Sequence, residues 1–210
     1  MSLQKETWSS KFGEEYTDRN IFSPDELDEL YINEYGITRT GMNQDFLNNV
    51  LDKDAKILEV GCNVGNQLRL LKKMGYNNLY GIELQDYAVG KAKELTKGIN
   101  IIQGVGDNIP FKDEYFDLVF TSGVLIHIPP TIIKEVLKEI YRCSKKYIWG
   151  FEYYSDKYED VNYRENSNLL WKGNFVEMYL EQLNKLEVVK EKRFKYINSE
   201  NFDSMYLLKK

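Results

Sequence analysis

Between Lys56 and Phe151, short apolar runs alternate with segments of helical spacing, and several of the changes fall at a glycine. Ile57-Leu58-Glu59-Val60 ends at Gly61, and a helical stretch carrying Leu68, Leu70, Leu71 and Met74 stops at Gly75. Leu79–Ile82 is a second run, followed by a helical pattern over Ala88–Leu95 that Gly98 ends. Asn100–Gln103 and Phe116–Phe120 are further strands by this reading. Pro129-Pro130 then opens a helix with Ile133, Val136, Leu137 and Ile140, and Tyr147–Phe151 is a fifth strand. Strands separated by helices cross over and run parallel, with helices on both faces. The pattern therefore predicts an α/β fold on a doubly wound, mostly parallel sheet. The tail differs: after a helix near Phe175–Leu183, Leu186–Phe194 and Ser204–Leu208 have no helix between them and predict an antiparallel pair, which brings the sheet to seven strands.

Upstream, Ser23-Pro24-Asp25-Glu26 has the cap, first-turn proline and acidic first turn of a helix start, and a second helix is expected over Asn43–Leu51. The expected organisation is a helical cap over residues 1–50 and one compact unit over 51–210. A chain of 210 residues, 42% hydrophobic and 29% charged, buries a core without a disulfide or metal staple. The net charge of −5 argues against a phosphate-backbone partner, because proteins that grip nucleic acid present a basic face. Lys190, Lys192, Arg193 and Lys195 are interleaved with Glu187 and Glu191 and read as a solvated face. Cys62, Cys143 and a single histidine, His127, cannot assemble a zinc site. Met1–Lys11 is polar and no apolar run approaches the length of a membrane span, so a cytoplasmic protein is expected.

The chemistry concentrates at strand ends, where open α/β sheets bind ligands. Glu59-Val60-Gly61-Cys62-Asn63-Val64-Gly65-Asn66 joins the first strand to a helix. A dinucleotide fingerprint read from Gly61 would need glycine where Asn63 and Asn66 stand. A carboxylate at Glu59 repels a pyrophosphate and suits an ammonium or sulfonium. Glu83 ends the second strand 22 residues beyond Gly61, the position of an acid that accepts ribose hydroxyls. After the third strand, Asp107 in Gly106-Asp107-Asn108-Ile109-Pro110-Phe111 offers an acceptor for an exocyclic amine, with Leu84 and Ile109 to sandwich a ring; a plain Asp-Asn turn is the alternative.

This order of motifs resembles the class I S-adenosylmethionine (SAM)-dependent methyltransferases, over residues 56–151 and through the closing strand pair. The resemblance implies a Rossmann-like fold and SAM as cofactor. Glu59, Gly61 and Gly65 would face the methionine part, Glu83 the ribose and Asp107 the adenine. Cys62, Asn63, Asn66, Leu84, Asn108, Ile109 and Ser122 complete the expected cofactor shell. Asn63 takes the place of the middle glycine of the common ExGxGxG. The run from Trp8 through Phe12-Gly13-Glu14-Glu15-Tyr16-Thr17-Asp18-Arg19-Asn20, with Thr38-Arg39-Thr40 and Asn43, is similar to methylases associated with pseudaminic acid biosynthesis. In related enzymes an N-terminal helix caps the cofactor, which makes Tyr16 and Arg39 candidates for its carboxylate or for substrate; helix packing is their other reading.

His127 follows the fourth strand in Ser122-Gly123-Val124-Leu125-Ile126-His127, where a general base would meet an acceptor hydroxyl or where an apolar loop would hold a structural histidine. Tyr153, Tyr154, Arg164 and Trp171 follow the fifth strand and offer apolar faces with polar tips to a polar organic substrate, or form a tyrosine-rich lid. Thr121-Ser122-Gly123-Val124 stands where amide and adenine N-methylating relatives carry Asn-Pro-Pro-Tyr. The expected activity is methyl transfer to a small polar acceptor such as a sugar or nonulosonic acid intermediate. Rival readings are a non-catalytic cofactor-binding module of a polysaccharide pathway and another transferase on the same fold, such as an aminopropyl transferase.

Overall fold

The structure is a computed structural model, and it describes residues 3–162 and 168–210. The chain divides into two compact units, Met1–Val105 and Gly106–Lys210.

The first unit begins with four helices, α1 (Leu3–Trp8), α2 (Lys11–Arg19), α3 (Pro24–Tyr35) and α4 (Arg39–Leu47). The start signal at Ser23 becomes a full capping box, in which Ser23 Oγ accepts from the Glu26 amide and the Glu26 carboxylate accepts from the Ser23 amide, with Gly36 closing the helix in the left-handed region. The next helix begins four residues earlier than its apolar spacing suggested. Thr38 Oγ1 caps it at the Gly41 amide, 2.9 Å away, and it stops at Leu47, after which Asn49 turns left-handed at φ 63°.

Three parallel strands follow: β1 (Lys56–Val60), β2 (Asn78–Glu83) and β3 (Asn100–Gln103), in the order β3-β2-β1, with α5 (Asn66–Lys73) and α6 (Asp86–Leu95) as crossovers. The register pairs Val60 with Ile82, so the chain leaves β1 into its glycine loop one residue before β2 ends at Glu83. That register is what brings the loop and the acid together.

The second unit contains β4 (Phe116–Ser122), α7 (Ile133–Cys143), β5 (Ser144–Tyr154), α8 (Phe175–Gln182), β8 (Glu187–Lys195) and β9 (Phe202–Lys209), in strand order β4-β5-β9-β8. Here β5 is parallel to β4, while β9 is antiparallel to both β5 and β8. The seven long strands make the mostly parallel α/β sheet with an antiparallel end pair that the sequence predicts. The apolar spacing did not announce a 3₁₀ turn at Leu125–His127 or a two-residue strand pair, β6 (Glu159–Asp160) with β7 (Trp171–Lys172). Among the described residues no helix is long and apolar enough to cross a membrane.

Candidate functional site

In the first unit the loop from Gly61 to Gly65 is built on left-handed backbone: Gly61 has φ 72°, Asn63 φ 46° and Gly65 φ 77°. Asn63 therefore keeps the conformation of the glycine it replaces, since asparagine tolerates this region better than other side chains. At Gly65 the constraint is also spatial, because an added Cβ would lie 2.6 Å from Thr96 Cγ2. The amides of Gly61 and Cys62 both donate to the Ile82 carbonyl, at 2.9 and 3.0 Å, which ties the loop to the end of β2.

Glu83 completes the tie. One carboxylate oxygen accepts from the Asn63 amide at 2.8 Å and the other from the Gln85 amide at 3.0 Å. Burial pushes its carboxyl above the usual range, and these amide bonds oppose the shift. A carboxylate has about four acceptor sites, so one held by the amides of Asn63, Gln85 and Leu84 retains room for a further donor.

Glu59 is buried at the end of β1, and its Oε2 has no hydrogen-bond partner among the described residues. Burial drives its carboxyl well above the usual range, the Arg39 charge pulls it back, and Glu83 adds to the rise. Arg39 is itself fully buried; its Nε donates to Asn43 Oδ1 at 2.9 Å and its Nη1 to the Tyr31 hydroxyl at 3.0 Å. A buried, partnerless carboxylate oxygen is costly unless a donor meets it. The group the sequence implies brings such a donor in its ammonium, so these residues fit it.

The N-terminal helices close over this loop. The Thr17 hydroxyl lies 3.1 Å from both Asn63 Oδ1 and Gln85 Oε1, sharing its one proton between them. Gln85 Nε2 donates to the Ser10 carbonyl at 3.2 Å, and Tyr87 donates to Asp18 at 2.7 Å. Thr17 and Gln85 were not singled out from sequence; the readable signals were the position of Gln85 two residues past Glu83 and of Thr17 beside Tyr16. Tyr16 is half-buried, with its ring edge against Trp8 at 5.2 Å. Two expected cofactor residues have side chains turned elsewhere. Asn66 donates to the Asn20 carbonyl at 2.6 Å and accepts from Arg69 at 2.8 Å, and the buried Cys62 thiol packs against Gly81. Any ligand contact from Cys62 comes from its backbone. Leu84 is half-buried.

In the second unit Asp107 is half-buried and Asn108 exposed at the turn before Ile109, which is buried. This turn is stapled by an i,i+3 pair on α7. Glu139 accepts the Ile109 amide at 2.8 Å, and Arg142 donates to the carbonyls of Ile109 at 2.9 Å and Phe111 at 2.8 Å while bonding Glu139 and Asp113. The Arg142 guanidinium holds the Glu139 carboxyl below its usual range. Replacing Arg142 by alanine leaves two backbone carbonyls without their donor. We expect a loss of about 2 kcal/mol, which at about 2–4 °C per kcal/mol lowers the melting temperature by about 4–8 °C. A thermal melt of Arg142→Ala checks this, and an unchanged midpoint contradicts the staple.

β4 and β5 pair Ser122 with Phe151, and the Gly123 amide continues the ladder to the Phe151 carbonyl at 2.8 Å. Ser122 is half-buried at the strand end. The next residue of β5 is Glu152, only 1% exposed, which accepts from the Val124 amide at 3.0 Å and, at 3.5 Å, from the Ile126 amide. Burial raises its carboxyl to about 7 despite those bonds and the Thr121 side chain beside it. Glu152 was missed from sequence, because a lone acid in an aromatic run carries no motif.

The sequence leaves His127 either a general base or a structural histidine of an apolar loop. In the structure its Nδ1 lies 2.9 Å from the Leu169 carbonyl, and burial lowers the imidazole to about 4. A carbonyl only accepts, so Nδ1 carries the proton and the neutral ring presents a lone pair at Nε2. Tyr158 donates to the Ile128 carbonyl at 2.8 Å and steadies the same turn. The expected substrate residues separate. Trp171 is buried in β7, whereas Tyr153 is half-buried with Lys172 Nζ 5.6 Å from its ring centre. Tyr154 donates to Asp156 and accepts from Arg193, whose guanidinium lies 3.7 Å from its ring centre. Arg164 lies outside the described residues.

Residues 58–147 match the sequence profile of a family described as a methyltransferase domain. The fold is the methyltransferase fold. A magnesium protoporphyrin IX methyltransferase from Synechocystis PCC 6803 with bound SAM shares it at TM-score 0.70 and 13% identity, covering 100% of this chain and 98% of that one. The [4+2]-cyclase SpnF shares it at TM-score 0.65 and 14% identity, over 89% and 81% of the two chains. Among curated proteins, the cycloartenol-C-24-methyltransferase 1 of rice (Oryza sativa subsp. japonica) is 30% identical over 120 residues, 51% of this chain and 33% of that protein. The chain spans well under half the length of the first curated relatives it matches, at 41%, 33% and 32%.

Proposed function

We propose that the chain is a SAM-dependent methyltransferase acting on a small polar acceptor, of the class of sugars or nonulosonic acid intermediates. The observation that carries this reading is Glu83, whose two oxygens are aimed by the amides of Asn63 and Gln85 at the mouth of a left-handed glycine loop. The unpartnered Glu59 Oε2 supports it, since an ammonium is the donor that such an oxygen lacks. SAM, when bound, supplies a methyl group carried on a sulfonium. The chain's own residues hold and orient: Glu59 takes the ammonium, Glu83 the ribose hydroxyls and Asp107 the adenine amine. Residues 1–50 act as a cap on the glycine loop, which the bond from Thr17 to Asn63 and the one from Gln85 to the Ser10 carbonyl support.

A polar acceptor is favoured over a sterol, the substrate in the names of several curated relatives, by the polar dressing of the chain after β5. There Tyr153, Tyr154, Lys172 and Arg193 set hydroxyls and cations beside aromatic faces. His127 is the residue we assign to receive an acceptor proton. A net charge of −5 argues against a nucleic acid acceptor, and two free buried cysteines suit a cytoplasmic setting. The fold also serves a cyclase and so does not by itself fix the chemistry; a cofactor-binding module without turnover, or another transferase on the same fold, is the second reading.

Calorimetry separates cofactors: S-adenosylhomocysteine should bind and NAD should not at the same concentration, because Glu59 repels a pyrophosphate. The reverse preference overturns the proposal. Incubation with methyl-labelled SAM and a panel of nucleotide sugars, nonulosonic acids and sterols, read by mass spectrometry, then tests turnover and acceptor class. Binding without label transfer to any of them favours the module.

A further inference from the structure

The acceptor side of the second unit contains a buried carboxylate for which the proposed reaction has no use. Glu152 follows the last residue of β5 that pairs with β4, and its carboxylate faces the amides of the turn that carries His127. A buried acid could instead have paired with a cation. The groups around it are the Thr121 hydroxyl on β4, the Tyr179 ring on α8 and, across the β5–β9 ladder, Ser204 and Tyr206. None of these is a cation, and Glu191 on β8 is occupied by the Ser204 hydroxyl at 2.9 Å. Tyr179 and Tyr206 are buried and held neutral, their hydroxyls pushed well above the usual range. Among the described residues, the hydrogen bonds to the Glu152 carboxylate come from the Thr121 side chain and from the loop amides.

We propose that Glu152 is a positioning residue that clamps the 123–127 loop and so presents His127 in a single tautomer. One end of the clamp is the carboxylate on the Val124 and Ile126 amides; the other is the Leu169 carbonyl on His127 Nδ1. With both ends held, the ring cannot turn over to offer Nδ1 in place of Nε2 without breaking the bond to Leu169. What the presented lone pair serves rests on the methyl-transfer reading, but the clamp itself does not. The raised carboxyl of Glu152, about 7, means that its charge changes within the working pH range, and the strength of its amide bonds changes with it. His127, lowered to about 4, stays neutral throughout that change.

The chain has one histidine, so its imidazole nitrogens give a single, unambiguous set of NMR signals. In the full chain these signals should show a protonated Nδ1 and an unprotonated Nε2 at pH 8. They should shift twice on acidification, once near pH 7 as Glu152 takes a proton and once near pH 4 as the ring does. Glu152→Gln should abolish the inflection near pH 7 and raise amide exchange at Val124 and Ile126 at pH 8 by about tenfold or more, the equivalent of one charge-assisted bond. An inflection near pH 7 that survives in Glu152→Gln, or unchanged exchange at those two amides, overturns the proposal. If Glu152→Gln does not fold, the wild-type titration decides: a ring that titrates once, or a mixture of tautomers, overturns it. Calorimetry with S-adenosylhomocysteine on the same wild-type sample keeps the two readings apart. Absence of binding with the clamp intact refutes the methyl-transfer reading only, and binding with no clamp signature refutes this inference only.

Discussion

Replacing His127 by asparagine should lower turnover of the identified acceptor by about 10²–10⁴-fold while leaving S-adenosylhomocysteine affinity nearly unchanged. That is the range a positioned general base contributes. Asparagine keeps a hydrogen-bonding edge toward the Leu169 carbonyl but cannot take up a proton. The structure moves the expected pH limb: an unperturbed imidazole would lose activity as pH falls through about 6.5, whereas burial places the fall near pH 4. The same shift has a stability consequence with a definite sign. The folded imidazole lies below its unfolded value, so its contribution to stability is complete above about 6.5 and is lost as pH falls through about 4. Glu152 acts in the opposite sense. Its folded value of about 7 exceeds the unfolded carboxyl value of about 4.3, so its contribution is complete below the latter and declines as pH rises through the former. A pH–rate profile and a pH series of melts on wild type and His127→Asn measure these together. Turnover retained in His127→Asn, with its acid limb unmoved, rejects the base role and leaves the ring a packing element.

Glu83→Ala should weaken S-adenosylhomocysteine binding by roughly ten- to a hundred-fold, since hydrogen bonds to a charged group contribute about 1.5–3 kcal/mol each. The structure adds a second route to the same loss. Without the carboxylate the amides of Asn63 and Gln85 lose their acceptors, and the left-handed turn at Asn63 loses the bond that holds it. Glu83→Gln separates the two contributions. Its amide oxygen can still accept from one of the backbone donors, so a smaller affinity loss than in Glu83→Ala identifies loop support, and an equal loss identifies the ribose contact. A dissociation constant unchanged in both variants moves the ribose elsewhere.

The crossovers were readable because each strand of the parallel part is a short apolar run and most helices end at a turn residue, as at Gly75 and Gly98. The glycine loop and Glu83 were readable for the same reason: they are defined by distance along the chain from a strand end. The position of the Arg39–Leu47 helix was not, because its start depends on a threonine cap outside the apolar pattern. Glu139 and Arg142 stand three residues apart on a helix, a spacing shared with ordinary surface pairs. Their partners, the carbonyls of Ile109 and Phe111, lie about thirty residues away and carry no side-chain signature.

By itself the sequence determined the succession of strands and helices, the mostly parallel sheet with its antiparallel end pair, and the placement of the glycine loop and of acids at strand ends. All of these follow from local sterics and from periodicity. Tertiary structure decided which of the chemistry-bearing side chains are buried and what state they hold. His127, Glu152, Glu59 and Arg39 each read as an ordinary ionisable residue in the chain. Desolvation and the backbone groups that fold against them determine whether each is charged, neutral or short of a partner. That information is nonlocal: the amide facing Glu152 and the carbonyl facing His127 come from segments that only the folded sheet brings within hydrogen-bonding distance.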